Sequence, residues 1–582
     1  MNHVVNPATE TQEAHWHALV NRIDQHVQGR IGQMVGGISP LQASLVYLDW
    51  LGHLMASPGK QLDIARGLLG DSQAAMLKLS SAPREVEAAD GQYKRFASPG
   101  WAQWPYVAFA EGFRVLERAW ESATHGVPGL NHRNEEAAAF AARQWLDVLC
   151  PANLPWLNPD VLKATQEEHG ANLMRGAMNW LDDLHRMVHK LPPAGVEAYQ
   201  VGKDVAITPG KVVYRNDLIE LIQYSPATDK VYAEPVLIVP AWIMKYYILD
   251  LSPHNSLVKY LVEHGHTVFM ISWKNPGTED RDKGMEDYRV HGVMAALDTV
   301  CQIVPDRKVH GVGYCLGGTM LQIAAATMGR EKDERLASMT LLAAQGDFSE
   351  AGELLLFINE AEVNLLEAIM AEQGYLRGSQ MAGAFTLLHS NDLIWSRALK
   401  HYMLGVRDLP NDLMSWNADA TRMPARMHSE YLHKLFLNND LATGRYEVDG
   451  QPIWFTDIHV PCFAVGTVSD HVAPWKSVYK LHLLPLDVTF VLTSGGHNAG
   501  IISEPGHPRR HFQLQHRPAS DRYIAPEVWQ QQAPTQEGSW WPSWQNWLAG
   551  HSSGKVAPPR MGLPGKKGQK LADAPGSYVL MR

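Results

Sequence analysis

Residues 308–320 read KVHGVGYCLGGTM, and few folds accommodate such a run. A β-type stretch (308–314) delivers a cysteine, and a helical stretch (316–325) begins at once. Gly313 and Gly317 stand two residues before and two after Cys315. This is a G-x-nucleophile-x-G elbow with sulfur in place of oxygen. A nucleophile on a sharp strand-to-helix turn sits in strained backbone, and side chains at −2 and +2 would crowd the turn. The following helix N-terminus favours a thiolate over a thiol. The plainer alternative is a Gly-rich turn holding a buried structural cysteine. A dinucleotide-binding loop fits less well, because Gly311, Gly313 and Gly317 space as GxGxxxG rather than GxGxxG.

Upstream, residues 1 to about 200 read as a helical domain. Apolar residues recur at three- and four-residue spacing in 41–57, 104–119, 135–149 and 171–190, with Pro- and Gly-rich breaks between. No catalytic set appears there; His15 and His17 read as solvated. Pro192-Pro193-Ala194-Gly195 reads as a linker. Beyond it the rhythm changes. Strands are expected at 212–214, 218–224, 235–240, 267–272, 339–344, 460–465 and 488–492, and helices at 255–264 and 288–303. Strand alternating with helix gives βαβ units and a parallel sheet. The span 344–459 lacks strong strand signal and is rich in Met, Leu and Trp, which suggests a cap inserted over the site. The expected division is a helical domain over 1–200 and a catalytic domain over 201–582, with the cap at about 345–458 and a basic tail at about 551–582.

Two resumed strands each end in a loop with a candidate partner for the cysteine. Asp470 lies in GTVSDHVAP (466–474) and His497 in TSGGH (493–497). Nucleophile, acid and base thus occur in the order 315, 470, 497, each beyond a strand's C-terminal end, which is the α/β-hydrolase order and the edge where such sites form. A thiol with an ordinary pKa of about 8.5 needs a base at neutral pH. His497 would take the proton, and Asp470 would fix the imidazole tautomer. Any one of the 27 histidines is by default a surface or packing residue. His471, beside the acid, and His507, beyond the base loop, therefore rank below His497. The oxyanion donors would be the N–H of Leu316 and one from the loop after Pro240, from Ala241 or Trp242; otherwise that loop is an ordinary apolar turn.

With a net charge of −10 the chain does not look like a nucleic-acid binder. Its four cysteines form neither a disulfide framework nor a CxxC pair, so a reducing compartment is expected. Neither a signal peptide nor 18 consecutive apolar residues occur, so a soluble cytoplasmic protein without a transmembrane segment is expected. Nineteen tryptophans and 22 methionines suit either greasy ligands or a tryptophan-rich core.

Beyond the mechanism, residues 40–548 closely resemble the polyhydroxyalkanoate synthases. The resemblance rests on GYCLGG (313–318), PAWIMKYYILDLSPHNSLVKYLVEHGHTVFMISWKNP (240–276), NDLIW (391–395), WNADAT (416–421) and GSWWPSWQNWL (538–548). It implies an α/β-hydrolase fold with a cap, preceded by a helical domain, and puts the family's catalytic cysteine, aspartate and histidine on Cys315, Asp470 and His497. The implied activity is polymerisation of 3-hydroxyacyl-CoA into polyester with release of CoA, through a thioester on the cysteine. Moving an acyl group from one thioester to another is close to neutral, so it stays activated. Asp470 is implied to help activate the attacking hydroxyl. No cofactor or metal is expected. The implied partners are the 3-hydroxyacyl-CoA substrate, the surface of polymer granules in the cytoplasm, and a second copy in a homodimer. The chain's length resembles synthases that need no second subunit type. Asn498 stands where an aliphatic residue is commoner, which bears on fine specificity.

Two rival readings stay open. One is a thiol hydrolase with the same triad, either an intracellular polyester depolymerase or an acyl-CoA thioesterase. The other is a catalytically silent granule-coat protein. The tryptophans at 540, 541, 544 and 547 read as core packing ahead of a polymer platform, and 551–570 reads as a flexible basic tail. Arg509 and Arg510 read as a solvated pair, with coenzyme A phosphates as the alternative.

Overall fold

The apolar runs pair into one ten-stranded sheet in the computed structural model, which describes residues 7–34, 39–80, 95–388, 390–564 and 571–582. The side chains of His15 and His17 and the lysine-rich stretch 565–570 lie outside the described residues. In chain order the strands are β1 (Gly210–Arg215), β2 (Ile219–Tyr224), β3 (Val236–Val239), β4 (Val268–Trp273), β5 (Val309–Tyr314), β6 (Leu336–Leu342), β7 (Cys462–Thr467), β8 (Val488–Thr493), β9 (His511–Arg517) and β10 (Thr535–Glu537). Across the sheet they lie in the order β1-β2-β4-β3-β5-β6-β7-β8-β9-β10. The six from β4 to β8 run parallel. An antiparallel pair flanks them on each side.

Parallel strands are covered on both faces, which is why β3, β4, β5, β7 and β8 are buried along their whole length. Alternation along β3 feeds two cores: Leu237 and Val239 enter one, Val236 and Ile238 the other. The second core also holds Trp540, Trp541 and Trp544, so that tryptophan run is packing. In the expected helix 288–303, the first seven residues wind as a π-helix (Tyr288–Met294) before the α-helix Ala295–Ile303; the Trp273 ring packs against Gly292 there.

The chain divides into two compact units, one of residues 1–37, 195–381 and 410–582, the other of residues 38–194 and 382–409. Among its described residues the second has helices and no strand, with Pro40–Met55, Pro58–Ser80, Tyr106–Thr124, His132–Leu149 and Ala171–Val188 as its longer elements. Segment 390–409 is tied to the last of these: Asn172 and Asn179 donate to the carbonyls of Met403 and His401, and Arg407 pairs with Asp182 and Asp183. In the first unit the cap returns onto the loop after β3, where Met244 bridges Ala420.

The tail differs from the flexible segment expected of its composition. Lys555–Val556 pairs with Val231–Tyr232. Glu220, fully buried on β2, accepts from the backbone of Ser577 and Tyr578 and from Arg215. Nearby, Lys245 donates to the Met581 carbonyl at 2.6 Å. A buried carboxylate needs partners, and the tail supplies them.

Candidate active site

The elbow is built by close approach. A Cβ on Gly313 would lie 2.3 Å from Gly318 Cα, and one on Gly317 would lie 2.0 Å from the Val239 carbonyl oxygen. No side chain fits at either position, and the spacing around Cys315 follows. Cys315 itself takes φ 52°, ψ −125°, a conformation an L-residue holds only when its surroundings impose it. Its N–H is fixed to the Leu342 carbonyl of β6 at 2.9 Å.

The three side chains singled out in the sequence converge at the C-terminal edge of the sheet. The Cys315 thiol lies beside the His497 ring, close enough to raise its pKa. His497 Nδ1 meets Asp470 Oδ2 at 2.9 Å. Asp470 in turn accepts from the N–H groups of Val472 and Ala473, at 2.9 and 2.8 Å, and from Thr467 Oγ1 at 3.1 Å. Burial pushes the Asp470 carboxyl up, but the His497 ring and these N–H groups outweigh it and hold the pKa below the usual carboxylate range. Burial likewise opposes charging His497, yet Asp470 and Cys315 beside it hold its pKa well above the ordinary value. The arrangement therefore favours uptake of a proton by an imidazole placed between sulfur and carboxylate. By contrast, Cys462 is a buried core thiol pushed up to about 12.

Leu316 opens the helix Leu316–Arg330, and the loop holding Ala241 and Trp242 abuts it through Gly317. Among the described residues none accepts a hydrogen bond from the N–H of Leu316 or Trp242. The loop is braced from the cap side: Thr421 Oγ1 donates to the Trp242 carbonyl at 2.5 Å and Trp416 Nε1 to the Lys245 carbonyl at 2.7 Å. These braces were not read from the sequence, although both residues stand in the WNADAT stretch. Nor was Tyr431, a cap residue whose hydroxyl is pushed well above its usual pKa by burial and by the nearby Cys315.

The lesser candidates fall elsewhere. His471 points toward Glu353 at 3.9 Å and is half exposed. His507 is half-buried and bonds the Pro508 carbonyl. Arg510 is no solvated cation; it clamps the base loop by donating to the carbonyls of Ser494 and Ala499. Among the described residues no group of His, Cys, Asp or Glu could hold a metal ion, and no helix is long and apolar enough to cross a membrane.

A parallel sheet with a nucleophile elbow after β5, an acid after β7 and a histidine after β8 defines an α/β-hydrolase fold. A family model described as the alpha/beta hydrolase fold matches residues 234–503. Two further models, described as the poly-beta-hydroxybutyrate polymerase (PhaC) N-terminus and the poly-beta-hydroxybutyrate polymerase N terminal, match residues 92–261 and 18–60. The chain is 40% identical to a poly(3-hydroxyalkanoate) polymerase of Methylorubrum extorquens over 84% of its own length and 81% of the relative's. It is 36% identical to poly(3-hydroxyalkanoate) polymerase subunit PhaC of Rhizobium meliloti, over 91% and 87% of the two chains. The PhaC subunit of Cupriavidus necator matches at 36% identity, over 91% and 90%. The chain belongs to the poly(3-hydroxyalkanoate) polymerase family.

Proposed function

We propose that this chain is an acyltransferase that polymerises 3-hydroxyacyl-CoA into polyhydroxyalkanoate, with Cys315 as nucleophile, His497 as base and Asp470 as its orienting acid. The observation that carries this reading is the thiol–imidazole–carboxylate convergence, in a chain of the polymerase family. His497 takes the thiol proton as Cys315 Sγ attacks the thioester carbonyl. The oxyanion forms against the N–H of Leu316 and of Ala241 or Trp242. Collapse expels the thiol of CoA, which leaves with the proton from His497, and the acyl group stays on sulfur. The 3-hydroxyl of another unit then attacks that carbonyl. Its proton passes through His497 back to Cys315 as the ester bond forms. A thioester keeps the acyl group reactive enough for this second step, whereas a serine ester would not drive it.

The apolar cap favours polymerisation over hydrolysis by excluding water. Its buried Met423, Met427, Leu432 and Leu435 continue the sheet's core. No resident cofactor or metal is part of this reading. A cytoplasmic location at the granule surface is supported by the helical unit's exposed apolar side chains, with Leu62 73%, Trp104 76%, Trp145 71% and Trp156 66% exposed. A homodimer is part of the same proposal, and sedimentation of the purified chain tests it. The activity is tested by supplying 3-hydroxybutyryl-CoA to the purified protein. Insoluble polyester with free CoA supports the polymerase; free 3-hydroxy acid with no polymer would mean a hydrolase, and no turnover a silent coat protein.

A further inference from the structure

Tyr314 immediately precedes the nucleophile, and Asn498 immediately follows the histidine. The Tyr314 hydroxyl donates to Asn498 Oδ1 at 2.6 Å, and its ring lies 5.8 Å from the His497 ring, centroid to centroid. Tyr314 is buried at 2% exposure, so its hydroxyl depends on that acceptor. The base loop, residues 494–500, is otherwise anchored away from the elbow. Arg510 holds its two ends, Ser469 N–H bonds the Gly495 carbonyl, Trp540 Nε1 bonds the Gly500 carbonyl, and His497 bonds Asp470. Among the described residues, the Tyr314–Asn498 bond is the one side-chain hydrogen bond, beside the Tyr314–His497 ring contact and the His497–Cys315 contact, that joins this loop to the strand carrying the nucleophile.

We infer that the Tyr314–Asn498 hydrogen bond is a positioning contact, which sets the distance between base loop and elbow and so holds the His497 ring against Cys315 Sγ. The inference rests on the proposed roles of Cys315 and His497. Neither Tyr314 nor Asn498 need touch the reacting atoms; each acts through its neighbour in the chain. Proton transfer and attack tolerate little displacement, and a misplacement of about 1 Å costs on the order of 100-fold. The two partners also form a matched set. Removing the acceptor alone leaves a buried hydroxyl unpaired, whereas replacing both by apolar groups is close to neutral.

The test compares Asn498→Leu, Tyr314→Phe and the double variant by kcat and KM for CoA release, by the rate of Cys315 alkylation with iodoacetamide at neutral pH, and by Tm. Asn498→Leu is expected to lose about tenfold in both kcat and alkylation rate with KM unchanged. The double variant is expected to stay as slow as Asn498→Leu, because the bond is still absent, while regaining most of the Tm lost in Asn498→Leu, because the unpaired hydroxyl is gone. Wild-type kcat and alkylation in Asn498→Leu would overturn the inference, as would recovery of both rates in the double variant. If Asn498→Leu does not fold, Tyr314→Phe breaks the same bond from the other side, and wild-type rates in it would overturn the inference equally. Alkylation reads the thiol without substrate. If Cys315→Ala keeps its activity, the proposed function fails, whatever these variants do; if Cys315→Ala is inactive and they behave as wild type, only the positioning role fails.

Discussion

Asp470→Asn isolates the carboxylate from its shape. The wild-type carboxylate accepts from Val472 N–H, Ala473 N–H, Thr467 Oγ1 and His497 Nδ1. An asparagine keeps its oxygen on the two backbone donors and turns its NH2 toward His497. The ring must then offer the Nδ1 lone pair and carry its proton on Nε2, facing Cys315, where it cannot act as a base. Losing a hydrogen bond to a charged group costs about 1.5–3 kcal/mol, which is about 10- to 150-fold in rate. The wrong tautomer adds to this, and in a serine triad the same change reaches about 10⁴. The expected loss is therefore between about 10² and 10⁴ in the acylation rate, read as single-turnover release of CoA. A loss under about threefold would refute the role given to Asp470. Stability should move with pH as well. The depressed pKa of Asp470 contributes stability above the unfolded carboxylate value and loses it as pH falls through the folded one. The raised pKa of His497 contributes below the unfolded histidine value and loses it as pH rises through the folded one. Wild type should thus exceed the variant most between about pH 4 and 6.5, with the gap narrowing on both sides.

Two further changes address the supports. Thr421→Val removes the hydroxyl that bonds the Trp242 carbonyl at 2.5 Å, so kcat should fall about fivefold with KM unchanged, as steady-state kinetics will report. Glu220→Leu strands the N–H groups of Ser577 and Tyr578, so urea unfolding should show a loss of about 2–4 kcal/mol, with new protease sensitivity after residue 551.

Much of the parallel sheet was legible because its strands are buried on both faces and read as unbroken apolar runs, as PVLIVP and TVFMIS do. The elbow was legible because two close backbone approaches leave glycine no substitute. Strands β9 and β10 were missed. HFQLQHR buries Phe512 but keeps most other side chains half or fully exposed, and TQE is wholly exposed, so neither carries a hydrophobic signal. The tail was misread for a related reason. Its Gly-, Pro- and Lys-rich composition resembles a linker, and what docks it is a two-residue strand pairing and a buried carboxylate, Glu220, more than 350 residues away in sequence. Long-range ties such as Thr421 to Trp242 and Tyr314 to Asn498 leave no local pattern. A motif marks where chemistry sits, and only the assembled chain shows what holds it there.

The most direct test is to mix the protein with one equivalent of 3-hydroxybutyryl-CoA, quench in acid, digest and locate the acyl group by mass spectrometry. The account expects a thioester on the peptide carrying Cys315, absent from Cys315→Ala. Polymer formation with the acyl group on another residue, or undiminished in Cys315→Ala, would contradict it.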